Sequence, residues 1–120
     1  MVGIKVVSTG HAVPDKVVTN DDLSRVVDTN DEWIYSKTGI KERHFCENET
    51  NWELALKAAD TAIERAGIDK SEIGMLIVAT FTPDYATPSI ACVLHEKMGL
   101  RTDIPSFDLN AACAGYVYGL

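Results

Sequence analysis

The chain has 120 residues, with 11 Lys and Arg against 18 Asp and Glu, a net charge of −7; 46% of residues are hydrophobic and 24% charged. It is too apolar for a disordered chain, and too acidic for a binder of nucleic acid or anionic membrane, both of which want a basic face. The longest apolar run, Met75 to Ala79, is too short to cross a bilayer. The start, Met1-Val2-Gly3-Ile4-Lys5, lacks the basic and apolar regions of a signal peptide, so a cytoplasmic protein is expected. Three cysteines without a CxxC spacing disfavour a disulfide framework and a zinc site, and no metal is expected.

Strand and helix signals alternate. Ile4 to Ser8 is β-branched and ends at Thr9-Gly10, which predicts a first strand and a turn. Asn20-Asp21-Asp22 starts a short helix with acidic residues where the helix dipole favours them. Thr29 and Glu32 read as a capping box for a second short helix carrying Trp33 and Ile34 and ending at Gly39. Glu42 to Cys46 is expected to be extended.

Thr50 and Glu53 make a further capping box. Leu56, Ala59, Ile63 and Ala66 then form one stripe at helical spacing, with Gly67 as the stop. Met75 to Ala79 reads as a strand covered on both faces. Thr87-Pro88 predicts the next helix, Thr as N-cap and Pro at the first helical position, ending at Gly99. Cys92 on that helix is expected to pack inward, His95 to be exposed, and Cys46 to lie in a polar loop. Phe107-Asp108-Leu109 is a short last strand, and a further helix begins behind it and runs to Leu120. A chain stopping inside that helix reads as the front part of a longer protein.

Cys113 is the sharpest chemical feature. It follows a strand, precedes a helix, and is flanked by Ala111, Ala112, Ala114 and Gly115. Small neighbours allow a tight elbow that turns the thiol outward, beside the positive end of a helix dipole and backbone N–H groups able to hold an oxyanion. The competing reading is a buried small hydrophobe.

The segment Asn110-Ala111-Ala112-Cys113-Ala114-Gly115-Tyr116 resembles the active-site segment of β-ketoacyl-acyl-carrier-protein synthase III. So do Asp28-Thr29-Asn30-Asp31-Glu32-Trp33-Ile34, Thr38-Gly39-Ile40-Lys41-Glu42-Arg43-His44, Val78-Ala79-Thr80 and Pro88-Ser89-Ile90-Ala91-Cys92. These matches lie in order through nearly the whole chain.

The resemblance implies an α/β fold of the thiolase-like, layered αβαβα type, with residues 1–120 forming the first part of its N-terminal half. It implies an acyltransferase that starts fatty-acid synthesis by decarboxylating Claisen condensation. An acyl-CoA primer acylates Cys113, and malonyl-acyl-carrier-protein then supplies the extender. CoA enters as part of a substrate, with no separate cofactor, and the enzyme is a homodimer pairing through Phe107-Asp108-Leu109. Trp33 is expected to stack on the CoA adenine with Thr29 close to the same base. Lys37 stands near the CoA phosphates where the family more often has Arg; it keeps the charge and loses the bidentate fork. Thr87 lies near the acyl pocket, where some members carry an aromatic. The family's catalytic His and Asn fall beyond Leu120, so this stretch alone is expected to be inactive, and His11, His44 and His95 are expected to be structural or solvated. Rival readings are another condensing enzyme, of the hydroxymethylglutaryl-CoA synthase or polyketide synthase type, and a non-catalytic fragment or dimerisation module.

Overall fold

The computed structural model describes residues 3–120; Met1 and Val2, part of the start read above against a signal peptide, lie outside them. The chain divides into two compact units, one of residues 13–49 and one of residues 3–12 with 50–120.

In the smaller unit, β1 (Lys16–Thr19) and β2 (Glu42–Phe45) pair antiparallel, Val18 opposite Arg43. Helix α1 (Asn20–Ser24) starts at a capping box in which Thr19 and Asp22 bond reciprocally. Helix α2 (Asp31–Thr38) ends, as expected, at Gly39 with φ of 70°. Its start differs by one residue. Asn30, not Thr29, is the N-cap, its side chain accepting from the Trp33 N–H, and no capping box with Glu32 forms. Asn and Thr are both good caps, and here the amide oxygen reaches the orphan N–H. Pro14, Val18 and Ile34 are the buried apolar residues of this unit, and the polar Asn20 is buried as well.

In the larger unit, α3 (Asn51–Ala66) begins at the Thr50–Glu53 capping box and stops at Gly67, with φ of 64°. Strand β3 (Leu76–Ala79), helix α4 (Ile90–Met98) and strand β4 (Ser106–Leu109) make a parallel β-α-β unit, Val78 opposite Asp108. Ile90, Leu94 and Met98, spaced one helical turn apart, form the core with Leu100 and Ile104. Trp52, Leu56, Ala59 and Ile63 of α3 and Leu76 and Val78 of β3 pack against them. Burying each large apolar side chain contributes about 1.5–3 kcal/mol. Helix α5 (Gly115–Gly119) lies on the opposite face of β3, where Gly115 and Gly119 approach Ala79 and Ile77. A Cβ on Gly115 would stand 3.0 Å from that of Ala79.

Further expectations are corrected. Ile4 to Ser8 forms no strand. It has no ladder partner among the described residues and lies along α3 instead, where Ser8 Oγ donates to Ala62 O at 2.6 Å. A Cβ on Gly10 would collide with Ala58 O, so a side chain there would push the segment off the helix. Strand β3 is only half-buried, and Met75 is exposed outside it, because the sheet here has two strands and α5 is short. Thr87 caps nothing. Helix α4 begins two residues beyond Pro88, because Ser89 Oγ accepts from Cys92 N–H and the Asp108 carboxylate takes the Ile90 and Ala91 N–H groups at 2.9 and 2.8 Å. Finally, Cys92 faces outward on α4, whereas His95 is half-buried, its Nδ1 2.7 Å from Ser106 Oγ.

Candidate active site

Strand β4 delivers the chain to Cys113 through Asn110 and Ala111. Thr80 N–H still donates to Leu109 O at 3.1 Å, so the lead-in is held to the β3 edge. The backbone then turns sharply through Ala112, whose φ of 43° is a left-handed value that few non-glycine residues adopt. A 3-10 turn, Ala112–Ala114, follows, closed by Ala114 N–H donating to Ala111 O at 3.0 Å. Gly115 is buried, and Cys113 is exposed. This is the elbow expected from the small residues. The left-handed residue is the one before the thiol, and Cys113 lies in the 3-10 turn ahead of α5 rather than in the first turn of that five-residue helix. The buried-hydrophobe reading of Cys113 does not hold. Cys46 is exposed, and so, contrary to the inward packing expected of it, is Cys92. Among the described residues no three His, Cys, Asp or Glu side chains gather to hold a metal.

In the smaller unit, Asp28, Thr29, Asn30 and Trp33 line a cleft of about 200 Å³. Trp33 is 58% exposed, which removes it from the core. Thr29 Oγ1 is buried and has no hydrogen-bond partner. A ligand donor or acceptor would relieve the cost of that orphan hydroxyl. Lys37 is exposed in the last turn of α2, and Thr87 is exposed in the larger unit. His44 Nδ1 lies 2.6 Å from Pro14 O, in keeping with a structural role, and His11 is exposed.

Three features escaped sequence reasoning. Asn20 is a buried polar hub. Asp108 caps α4, and Asp84 caps α3 in the same way, taking the Asn51 and Trp52 N–H groups at 2.9 Å each. Two of these residues are distant in sequence from the helix they cap, and no local motif announces them.

This fold is that of the thiolase-like condensing enzymes. No protein-family model matches the chain. In sequence it is similar, over its whole length, to β-ketoacyl-acyl-carrier-protein synthase III, as its motifs implied. The protein of that name from Clostridium acetobutylicum is 50% identical over 120 residues, 100% of this chain and 37% of the relative. That from Rickettsia canadensis is 51% identical over 117 residues, 97% of this chain and 37% of the relative. The crystal structure of 3-oxoacyl-[acyl-carrier-protein] synthase III from Aquifex aeolicus superposes with a TM-score of 0.91 at 40% identity, over 97% of this chain and 37% of that one. The priming β-ketosynthase of the R1128 polyketide pathway does so with a TM-score of 0.88 at 33% identity, over 96% of this chain and 34% of that one. The chain thus spans little more than a third of the length of these relatives.

Proposed function

We propose that this chain is the N-terminal part of a thiolase-like condensing enzyme that starts fatty-acid synthesis, and that Cys113 is its acyl carrier. The observation that carries the reading is an exposed thiol on a strand-to-helix elbow, in a chain half identical to β-ketoacyl-acyl-carrier-protein synthases III. Cys113 Sγ attacks the thioester carbonyl of an acyl-CoA primer; the new S–C bond forms, the bond to the CoA sulfur breaks, and CoA leaves as its thiol after taking a proton. The oxyanion formed on the way is met by backbone N–H groups of the turn. Malonyl-acyl-carrier-protein then loses CO2, and the resulting carbanion attacks the acyl-Cys113 carbonyl. A C–C bond forms, and the Cys113 thiolate is released. The His and Asn that stabilise that carbanion belong, on this reading, to the part of the enzyme beyond Leu120.

The exposed Trp33 and the orphan hydroxyl of Thr29 support a role for their cleft in holding the adenine of the primer, with Lys37 toward its phosphates. Thr87 shapes the acyl end. The enzyme acts as a cytoplasmic homodimer, needs no metal or separate cofactor, and binds neither nucleic acid nor membrane. Among the described residues no helix is long and apolar enough to cross a membrane. The likeness to a polyketide priming ketosynthase favours one second reading, the same condensation feeding a polyketide line. Product analysis with malonyl-acyl-carrier-protein from each source separates the two.

The test is to incubate the intact protein with isotope-labelled acetyl-CoA and map the label by peptide mass spectrometry. Label on the Cys113 peptide, and its loss in Cys113→Ser, is the expected result. Label on Cys46 or Cys92 would overturn the assignment.

A further inference from the structure

We propose that Asn20 is a positioning residue for primer recognition, setting the placement of α2 and with it the Trp33–Thr29 cleft. This rests on the reading of that cleft as the site for the nucleotide part of the primer. Asn20 is the one buried polar residue among those described, at 1% exposure. Its side-chain amide donates to Asp31 Oδ1 and to Ile40 O, both at 2.7 Å. Asp31 is the first residue of α2, and Ile40 lies just past its Gly39 cap. A single amide therefore grips both ends of an eight-residue helix. The Asn20 backbone N–H adds a bond to Lys41 O at 3.1 Å.

The orientation of that amide is enforced. Arg43 Nη2 stands 2.6 Å from Asn20 Oδ1 and its Nη1 3.3 Å from Val18 O. A guanidinium only donates, so the oxygen of Asn20 must face it and the NH2 must face α2. No other side chain of this size supplies two donors on one side and an acceptor on the other in a buried, uncharged group. Little apolar packing holds α2, since Ile34 is its one buried residue. The polar clamp is accordingly what fixes where Asp28, Thr29, Asn30 and Trp33 stand around their cleft.

The experiment compares Asn20→Asp, Arg43→Met and Trp33→Ala in the intact enzyme, with acetyl-CoA and with acetyl-pantetheine, which carries the same thioester but no nucleotide. Asn20→Asp keeps the acceptor for Arg43 and loses both donors. It should raise KM for acetyl-CoA about tenfold, on the scale of losing buried hydrogen bonds. It should leave KM for acetyl-pantetheine, kcat and the rate of Cys113 alkylation by iodoacetamide unchanged. A merely structural role would move all four together. Arg43→Met keeps Asn20 but frees its amide to turn, and should raise the same KM less; it decides the matter by the same readouts should Asn20→Asp not fold. Trp33→Ala raising KM while both other variants leave it unchanged overturns the positioning role alone. Trp33→Ala leaving KM unchanged overturns the reading of the cleft, and the inference with it.

Discussion

The two units of this chain are held together by different physics. The larger owes its order to an apolar stack: Ile90, Leu94 and Met98 of α4 against α3 and β3. The smaller buries few apolar residues, Pro14, Val18 and Ile34, and relies on a polar network through Asn20, Arg43, Asp31 and Ile40 O. An apolar core is tolerant, because its strength is spread over many contacts. A buried polar hub concentrates its contribution in a few directional bonds, so one atom's change is felt along the whole helix it holds. The proposed division of labour follows the same line, with acyl chemistry on the apolar scaffold and primer recognition on the polar one.

The sharpest way to break this contrast is to open the apolar core. Leu94 is 2% exposed. Leu94→Ala should cost about 2–5 kcal/mol of stability. Denaturant melts of the intact protein would show it as a lower midpoint at unchanged slope; a loss below 1 kcal/mol would mean that the stack is not what holds this unit.

Asp84→Ala removes the acceptor for the Asn51 and Trp52 N–H groups at the start of α3. The loss of this cap should cost about 1 kcal/mol, less than the core cavity, by the same melts. The polar contribution in this unit is then shown to be secondary, in contrast to the smaller one.

Thr87→Phe sharpens the functional side. Because Ser89, not Thr87, caps α4, the Thr87 hydroxyl has no structural duty there. Wild type should accept isobutyryl- and longer acyl-CoA beside acetyl-CoA, each buried methylene being worth about 0.8 kcal/mol, roughly fourfold in kcat/KM. Phe at this position should narrow the range toward acetyl-CoA. An unchanged profile would take Thr87 out of the pocket.

The smallest effect concerns acid. The Thr19 hydroxyl and backbone N–H both donate to Asp22, which holds its carboxyl below the usual carboxylate range. A group depressed on folding adds stability that is present above its unfolded value and lost as pH falls through the folded one. Asp22→Asn should therefore make the protein's stability fall less steeply below about pH 4, measured as denaturation midpoints against pH.

How far the sequence foretold this depends on the region. Helix α3 was legible from end to end because its cap box, apolar stripe and Gly67 stop are all local and agree. The Cys113 elbow was legible because small residues leave few other ways to turn a chain there. The strand expected at Ile4 to Ser8 failed because β-branched composition cannot supply a ladder partner. The start of α4 was misplaced because its cap includes Asp108, eighteen residues from Ile90. Asn20 stayed invisible for the same reason: its partners lie 11, 20 and 23 residues away. Periodicity reports apolar faces, and a hub of hydrogen bonds across such distances leaves no periodic trace.

On the proposed reading, the thiol and the primer cleft do separate jobs in one reaction. Single-turnover acylation of Cys113, followed by mass spectrometry in the intact wild type and in Trp33→Ala, tests it most directly. With acetyl-CoA, Trp33→Ala should need about fivefold more thioester for half-maximal rate, the factor of an aromatic stack near 1 kcal/mol, at an unchanged limiting rate. With acetyl-pantetheine the two proteins should be indistinguishable. Equal impairment with both thioesters, or acyl label arriving on a cysteine other than Cys113, would contradict the account.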